Sequence, residues 1–375
     1  MKFRIKQTIK MIMQHMVLPL AYFVNRWRRI DESFVVMADA HHDTCPPHLL
    51  LIRQELADAG FMVKDYFFDL AGMSSAKGFM KLIGFMKFYA SAGTVIICDY
   101  FIPVASCRKK RGTRVIQMWH GAGAFKKFGY DAADDIPTMY RGNVHRNYSL
   151  VTVSGDACVQ PFMSAMGIED KDIVKPYGIS ITDRLYNAEY IKACREKFEK
   201  YYPEANGRRI VLWAPTFRGN AGNARLCGEA VMDSLAEKLG ESDAYLVKSV
   251  HPHTKKAADR AYMDTEELMT VADVLITDYS SVFFNFLILD RPIIFFAPDY
   301  EEYSEDRGFY PDYDKLPGIV VRSADADTLQ KSIEECMTED KNAKLRNAFK
   351  IQYINGCDGH VTERIIDYVR REEDI

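Results

Sequence analysis

The amino-acid sequence predicts an α/β protein of two doubly wound domains facing a central cleft, with an amphipathic helix at the N-terminus. Three observations predict it. Short β-branched runs alternate with helical stretches along most of the chain, as in parallel sheets covered on both faces. The alternation is interrupted once, by Lys175-Pro176-Tyr177-Gly178 and a charged helix ending at Tyr202-Pro203. At 375 residues, the chain is long enough to bury two cores.

Residues 1–30 form a segment of their own. They hold Lys2, Arg4, Lys6, Lys10, Arg26, Arg28 and Arg29, with no acid before Asp31. Phe3, Ile5, Ile9, Ile12, Met13 and Met16 recur between these cations at helical spacing. This is the pattern of a helix lying in a membrane interface, with Trp27 as an anchor. The plainer reading is a surface helix packed on the protein's own core. The longest apolar run here covers residues 16–24, well short of the about 20 residues that cross a bilayer. Asn25-Arg26-Trp27-Arg28-Arg29 follows it, where a signal peptide needs small residues, so cleavage is not expected.

Residues 31–200 make the first domain, with strands predicted at 34–37, 61–67, 94–98, 114–119 and 150–153 and helices at 47–59, 77–90 and 156–166. Residues 201–355 make the second, with strands at 209–213, 244–250, 274–277 and 292–296 and helices at 229–239, 280–289, 326–337 and 341–353. Residues 356–375 hold a closing helix.

Composition removes several function classes. Apolar residues at 48% and charged residues at 27% exclude a disordered chain. Lys and Arg number 49 against 52 Asp and Glu, a net charge of −3, so no overall positive field advertises nucleic acid. The eight cysteines form no CxxC pair, which argues against zinc and a disulfide framework and for a reducing, cytoplasmic compartment. GxxxxGK[ST], GxGxxG after the first strand and GxSxG are all absent from the chain, against P-loop NTPases, nicotinamide dehydrogenases and α/β-hydrolases. Asp99, Asp131, Asp134 and Asp135 fall into no metal-ligand spacing, so neither metal nor cofactor is expected.

Ligands of doubly wound sheets bind beyond the carboxyl ends of the strands, and four polar clusters lie there. In Gln117-Met118-Trp119-His120-Gly121-Ala122-Gly123, followed by Lys126, His120 can accept a proton near neutral pH and the glycines let backbone N–H groups approach a phosphate. The alternative is a buried histidine beside a turn. Trp213-Ala214-Pro215-Thr216-Phe217-Arg218 offers the Thr216 hydroxyl and, in Arg218, a bidentate phosphate clamp. Lys248-Ser249-Val250-His251-Pro252-His253 brings His251 and His253 to the same edge. Thr277-Asp278-Tyr279-Ser280-Ser281 runs from a strand into a helix whose first hydroxyls and N–H groups can point at a diphosphate. A plain N-cap at Ser280 or Asp278 is equally compatible.

Taken together, these clusters resemble the CDP-glycerol glycerophosphotransferases, the teichoic-acid primases and polymerases of Gram-positive bacteria. The resemblance covers residues 94–370. It is carried by residues 117–129, Ala214 to Arg218, His251-Pro252, and Ala272 to Ser281 through Pro292, with Arg307-Gly308-Phe309-Tyr310, Pro317-Gly318 and Asp358-Gly359 as further matches. It implies a GT-B-like architecture of two Rossmann-like domains, the nucleotide on the C-terminal one and the acceptor approached from the N-terminal one. It also implies transfer of glycerol phosphate from CDP-glycerol to a hydroxyl of an undecaprenyl-linked acceptor, releasing CMP, at the cytoplasmic membrane face. A lipid-borne acceptor accounts for the basic first helix.

On that footing His120 and His251 are the expected catalytic pair. The expected donor-binding set is Gly121, Lys126, Thr216, Arg218, His253, Thr277, Asp278, Ser280 and Ser281. Two positions depart from the family pattern: Asn285 replaces an acid, and Ser180-Ile181-Thr182 precedes Asp183 where a Pro-Arg pair is usual. The competing readings are a CDP-ribitol donor, a GT-B enzyme using a nucleotide sugar, and a catalytically silent membrane scaffold. The oligomeric state is not legible.

Overall fold

A computed structural model describes residues 2–132, 135–136, 140–219, 225–240, 242–249, 263–306 and 308–370. The chain forms two compact units, one of residues 1–121, 128–183 and 356–375, the other of residues 122–127 and 184–355. The boundaries differ from those expected. Residues 1–30 and 356–375 belong to the first unit rather than standing apart, and the second unit begins at Arg184 rather than after residue 200.

The first unit opens with α1 (Lys2–Ile12), a π-helical turn (Met13–Val17) and α2 (Leu18–Asn25). Met13, Gln14, Leu18 and Tyr22 are buried along one side. The π-turn aims Gln14 inward, where its amide donates to the carbonyls of Asn143 at 2.7 Å and Ala105 at 3.3 Å and its oxygen accepts from the Tyr140 hydroxyl. The opposite side leaves Ile5, Ile9, Ile12, Met16, Leu20, Phe23, Val24 and Trp27 exposed.

Then follow β1 (Asp31–Asp39), α3 (Pro47–Asp58), β2 (Met62–Phe67), α4 (Ser75–Tyr89), β3 (Ala92–Ile97), α5 (Ile102–Ser106), β4 (Arg114–Gln117), β5 (Leu150–Thr152), α6 (Val159–Met166) and β6 (Val174–Lys175). The strands form an all-parallel sheet in the order β2-β1-β3-β4-β5-β6. Every residue of β3 is buried, the condition of a central strand covered on both faces.

The second unit runs through α7 (Ala188–Tyr201), β7 (Arg209–Ala214), a short hairpin of β8 (Phe217–Arg218) and β9 (Arg225–Leu226), α8 (Glu229–Gly240), β10 (Ala244–Lys248), α9 (Thr265–Val271), β11 (Val274–Thr277), α10 (Val282–Phe286), β12 (Ile293–Phe296), α11 (Tyr300–Asp306), β13 (Ile319–Val321), α12 (Ala326–Thr338) and α13 (Ala343–Tyr353). Its parallel sheet has the order β10-β7-β11-β12-β13. α7 packs against α9, which is why this charged helix belongs to the second unit. The helix predicted over 280–289 is shorter than expected: α10 has five residues and a 3₁₀ turn, Leu287–Leu289, follows it.

α14 (Val361–Arg370) returns to the first unit, where Ile365, Ile366 and Val369 join Leu49, Ile52 and Leu56 of α3 and Val35, Met37, Ile96 and Ile116 of the sheet in one core. Its N-terminus is capped from a distance. The Asp183 carboxylate accepts from the backbone N–H groups of Val361 at 3.1 Å and Thr362 at 2.8 Å, so the aspartate of the departing Ser180-Ile181-Thr182-Asp183 stretch has a structural duty. A Cβ on Gly178, at φ +94°, would lie 2.3 Å from the Gly356 carbonyl oxygen, an approach that glycine alone permits. Replacing Asp183 by Ala should therefore remove a cap worth about 1–2 kcal/mol, read as a lowered urea midpoint. An unchanged midpoint would contradict the capping role.

Candidate active site

The first sheet reverses its winding between β1 and β3, the switch point where such folds bind ligands. Asp39 closes β1 and is 2% exposed. One of its carboxylate oxygens accepts from the His41 N–H at 2.8 Å and lies 2.8 Å from His42 Nδ1. Asp99 follows β3 and His120 follows β4. Gln117, fully buried, joins the two strand ends: its amide donates to the Asp99 carbonyl at 2.9 Å and to the Tyr148 hydroxyl at 3.3 Å, and its oxygen accepts from Trp119 N–H at 3.0 Å.

The strand predicted to reach residue 119 stops at Gln117 because Trp119 adopts a left-handed φ of +56°. That conformation is sterically unfavourable for a tryptophan, and such strain collects at functional sites. Its ring is held by Phe128 and Phe162, at centroid distances of 4.8 and 5.6 Å, and carries the His120 imidazole stacked at 4.5 Å. His120 Nδ1 lies 3.2 Å from the Cys98 carbonyl oxygen and 3.7 Å from Asp99 Oδ2, with its side chain 47% exposed. His120 is thus not the buried histidine of the plainer alternative. His145 fills that description, since burial and then nearby Lys10 push it down to about 4, neutral at physiological pH.

Gly121 is the last residue of this stretch of the first unit, and Lys126 lies in the segment 122–127 that belongs to the second. Gly123, at φ +75°, packs closely against Phe284. A Cβ there would fall 2.1 Å from the Phe284 ring.

In the second unit the winding reverses between β7 and β11. Arg218 is the centre of the polar groups beyond those strands. Its Nε donates to Asp299 at 2.7 Å, one terminal nitrogen to Asp278 at 2.9 Å and Asp299 at 3.0 Å, and the other to the Thr216 carbonyl at 2.6 Å. The rings of Tyr279 and Tyr303 lie 4.8 Å from the guanidinium. Burial opposes its charge, but the Asp299 and Asp278 carboxylates outweigh that and raise its pKa above the ordinary value. Arg218 therefore organises this site through carboxylates, instead of presenting the open phosphate clamp expected from the sequence.

Asp278 is occupied as well, accepting from Thr216 N–H at 2.8 Å and Tyr279 N–H at 2.6 Å. Thr277 is buried and donates its hydroxyl to the Ala214 carbonyl at 2.7 Å. These contacts make Thr277 and Asp278 binders of the strand ends. The Thr216 hydroxyl oxygen is buried with no hydrogen-bond partner among the described residues. Ser280 Oγ accepts from Val282 N–H at 3.4 Å, and the Ser281 side chain makes no cap bond. With only five residues in α10, little helix dipole stands behind these serines. Lys126 Nζ lies 3.5 Å from the Tyr303 hydroxyl. His251 and His253 lie outside the described residues.

Sequence reasoning missed Asp299, Tyr279 and Tyr303, and passed over Asp99 after weighing it only as a metal ligand. Asp299 stands just beyond β12 and Asp99 just beyond β3, so the strand-end rule that selected His120 and Asp278 applies equally to both.

Two doubly wound units, each with polar groups beyond its switch point, define a protein of GT-B-like fold. The wall teichoic acid polymerase TagF superposes with a TM-score of 0.72 at 17% identity over 99% of this chain and 98% of that one. The chain is 34% identical over 302 residues to a teichoic acid ribitol-phosphate primase of Bacillus spizizenii, covering 75% of both chains. It is 30% identical over 298 residues to a teichoic acid glycerol-phosphate primase of Bacillus subtilis, covering 73% of both. The family model for CDP-glycerol:poly(glycerophosphate) glycerophosphotransferase matches residues 61–371, and the chain belongs to that family.

Burial opposes ionisation of Asp299, but the bonds from Arg218 outweigh it and hold this carboxyl below its usual range. A carboxyl with a lower folded than unfolded value stabilises fully above the unfolded value and loses that contribution as pH falls through the folded one. Stability should accordingly decline in acid below about pH 4. An Asp299→Asn variant should have a lower urea midpoint at neutral pH and a shallower acid decline. Parallel pH profiles would remove Asp299 from this account.

Proposed function

We propose that the protein transfers an alditol phosphate, glycerol phosphate or ribitol phosphate, from its CDP-activated form to a hydroxyl of a membrane-linked acceptor in teichoic acid synthesis, releasing CMP. The observation that carries this reading is the His120 imidazole, partly exposed at the end of β4, one strand from the switch point, with Nδ1 turned to a carbonyl. A carbonyl has no proton to give, so Nδ1 keeps its own and Nε2 is left as the base.

In this mechanism Nε2 takes the acceptor proton as the hydroxyl oxygen attacks the β-phosphorus, and CMP departs. Catalysis of phosphoryl transfer is mostly positioning and electrostatics. Arg218 orders the loops of the second unit through Asp278 and Asp299, and its bound carboxylates leave the diphosphate's growing charge to other groups. His251, Lys126, the Thr216, Ser280 and Ser281 hydroxyls and His253 are the candidates, with Gly121 keeping the backbone beside His120 open. Ribitol phosphate is retained beside glycerol phosphate because the two primases resembled carry one alditol each.

The same reading has α1 and α2 lie on the cytoplasmic membrane face. Exposed Ile5, Ile9, Ile12, Met16, Leu20, Phe23, Val24 and Trp27 supply an apolar contact, and the acid-free, basic first thirty residues supply attraction to anionic lipid. Among the described residues no helix is long and apolar enough to cross a membrane.

Removal of a general base typically costs about 10²- to 10⁴-fold, and His120→Ala with an intact fold should lose CMP release in that range. Turnover near wild type would take His120 out of the mechanism. Supplying CDP-glycerol and CDP-ribitol with a soluble lipid-disaccharide analogue, and weighing the products, identifies the alditol. If only a nucleotide sugar is consumed, the reading fails. Among the described residues no three His, Cys, Asp or Glu side chains converge as metal ligands, and activity should survive EDTA. A strict divalent requirement would overturn that part.

A further inference from the structure

Asp99 is not explained by packing alone. Its Oδ1 accepts from Tyr100 N–H at 2.6 Å. Its Oδ2 lies between two imidazoles, 3.7 Å from His120 Nδ1 and 3.6 Å from His41 Nε2, with the Asp99 side chain 24% exposed. The two histidines arrive from different strands, His41 after β1 and His120 after β4, and Asp99 itself follows the strand between them in the sheet. The Gln117 amide ties the Asp99 backbone to the Trp119 turn that carries His120. The Asp99 backbone is thereby anchored, and the Tyr100 N–H holds its Oδ1.

The geometry points to Asp99 as the positioning residue for His120. The Cys98 carbonyl accepts the Nδ1 proton and sets the tautomer. Asp99 supplies what a carbonyl cannot, a full negative charge beside the same ring nitrogen when Nε2 becomes protonated. His41 Nε2 lies 3.6 Å from the same carboxylate oxygen. The inference rests on the proposed role of His120.

The acceptor O–H gives its proton to Nε2 while its oxygen lone pair forms the new bond to the β-phosphorus. The bond from that phosphorus to the bridging oxygen breaks, and its electron pair leaves with CMP. The imidazolium, facing Asp99, returns its proton to water before the next turnover. A carboxylate within 4 Å of a developing imidazolium stabilises the charged product of proton transfer without touching either substrate.

The test uses the full chain, CMP release from whichever CDP-alditol is turned over, and the soluble lipid-disaccharide acceptor analogue. Asp99→Asn removes the charge at nearly constant size. Its kcat should fall about ten- to a hundredfold, less than for His120→Asn because the Cys98 carbonyl still sets the tautomer, and its donor KM should change less than about twofold. In a His120→Asn background the same substitution should cause no further loss, because a residue that acts through another has nothing left to act on. If circular dichroism shows Asp99→Asn misfolded, the equal-length pair Asp99→Glu and Asp99→Gln reads the same charge effect, with Glu the more active.

Wild-type kcat in Asp99→Asn, or an equal loss with and without His120, overturns the inference while leaving the role of His120 intact. Wild-type turnover in His120→Asn overturns both. A Glu variant no better than Gln also overturns it.

Discussion

The Gln117 side chain, fully buried, gives its amide hydrogens to the Asp99 carbonyl and the Tyr148 hydroxyl and takes the Trp119 N–H on its oxygen, so one residue fixes the ends of two neighbouring strands. An amide buried this deeply is costly unless each polar atom is matched. Here the matching partners are the backbone groups that aim Asp99 and His120. The strain at Trp119 is held in place by the same hydrogen bond and by packing against Phe128 and Phe162. Without Gln117 the turn would be free to relax toward ordinary backbone angles, and the imidazole would move with it.

The second unit solves a related problem with charge. One guanidinium between two carboxylates joins the ends of β7, β11 and β12, and two tyrosine rings flank it. Such a triad leaves a net negative charge in the absence of other cations. An incoming pyrophosphate therefore needs positive groups beyond Arg218, and the proposed reaction assigns that duty to histidine and lysine rather than to the arginine.

Much of this is legible in the sequence because parallel strands buried on both faces read as continuous β-branched runs. Thr94-Val95-Ile96-Ile97 and Val274-Leu275-Ile276-Thr277 announce their strands, and the polar residues that follow announce the edge. Side-chain duty is less legible. Nothing local to Arg218 says that Asp299, eighty-one positions away, neutralises it, and nothing near Gly123 predicts Phe284 against its Cα. The domain boundary is obscured for the same reason. By its charge α7 reads as part of the interruption that closes the first domain, yet its buried Cys194 and Phe198 commit it to the second unit.

The first unit is assembled from three stretches of chain and the second from two, so the backbone passes between them four times. Phe125, on the shortest of these stretches, contacts Phe283 and Phe309, and α14 completes a core begun more than three hundred residues earlier. Neither half is a contiguous cassette that recombination could copy or fuse intact. A gene fragment cut at residue 183 would strip the first half of its closing helix and leave the other half without its phenylalanine plug, exposing apolar surface on both products.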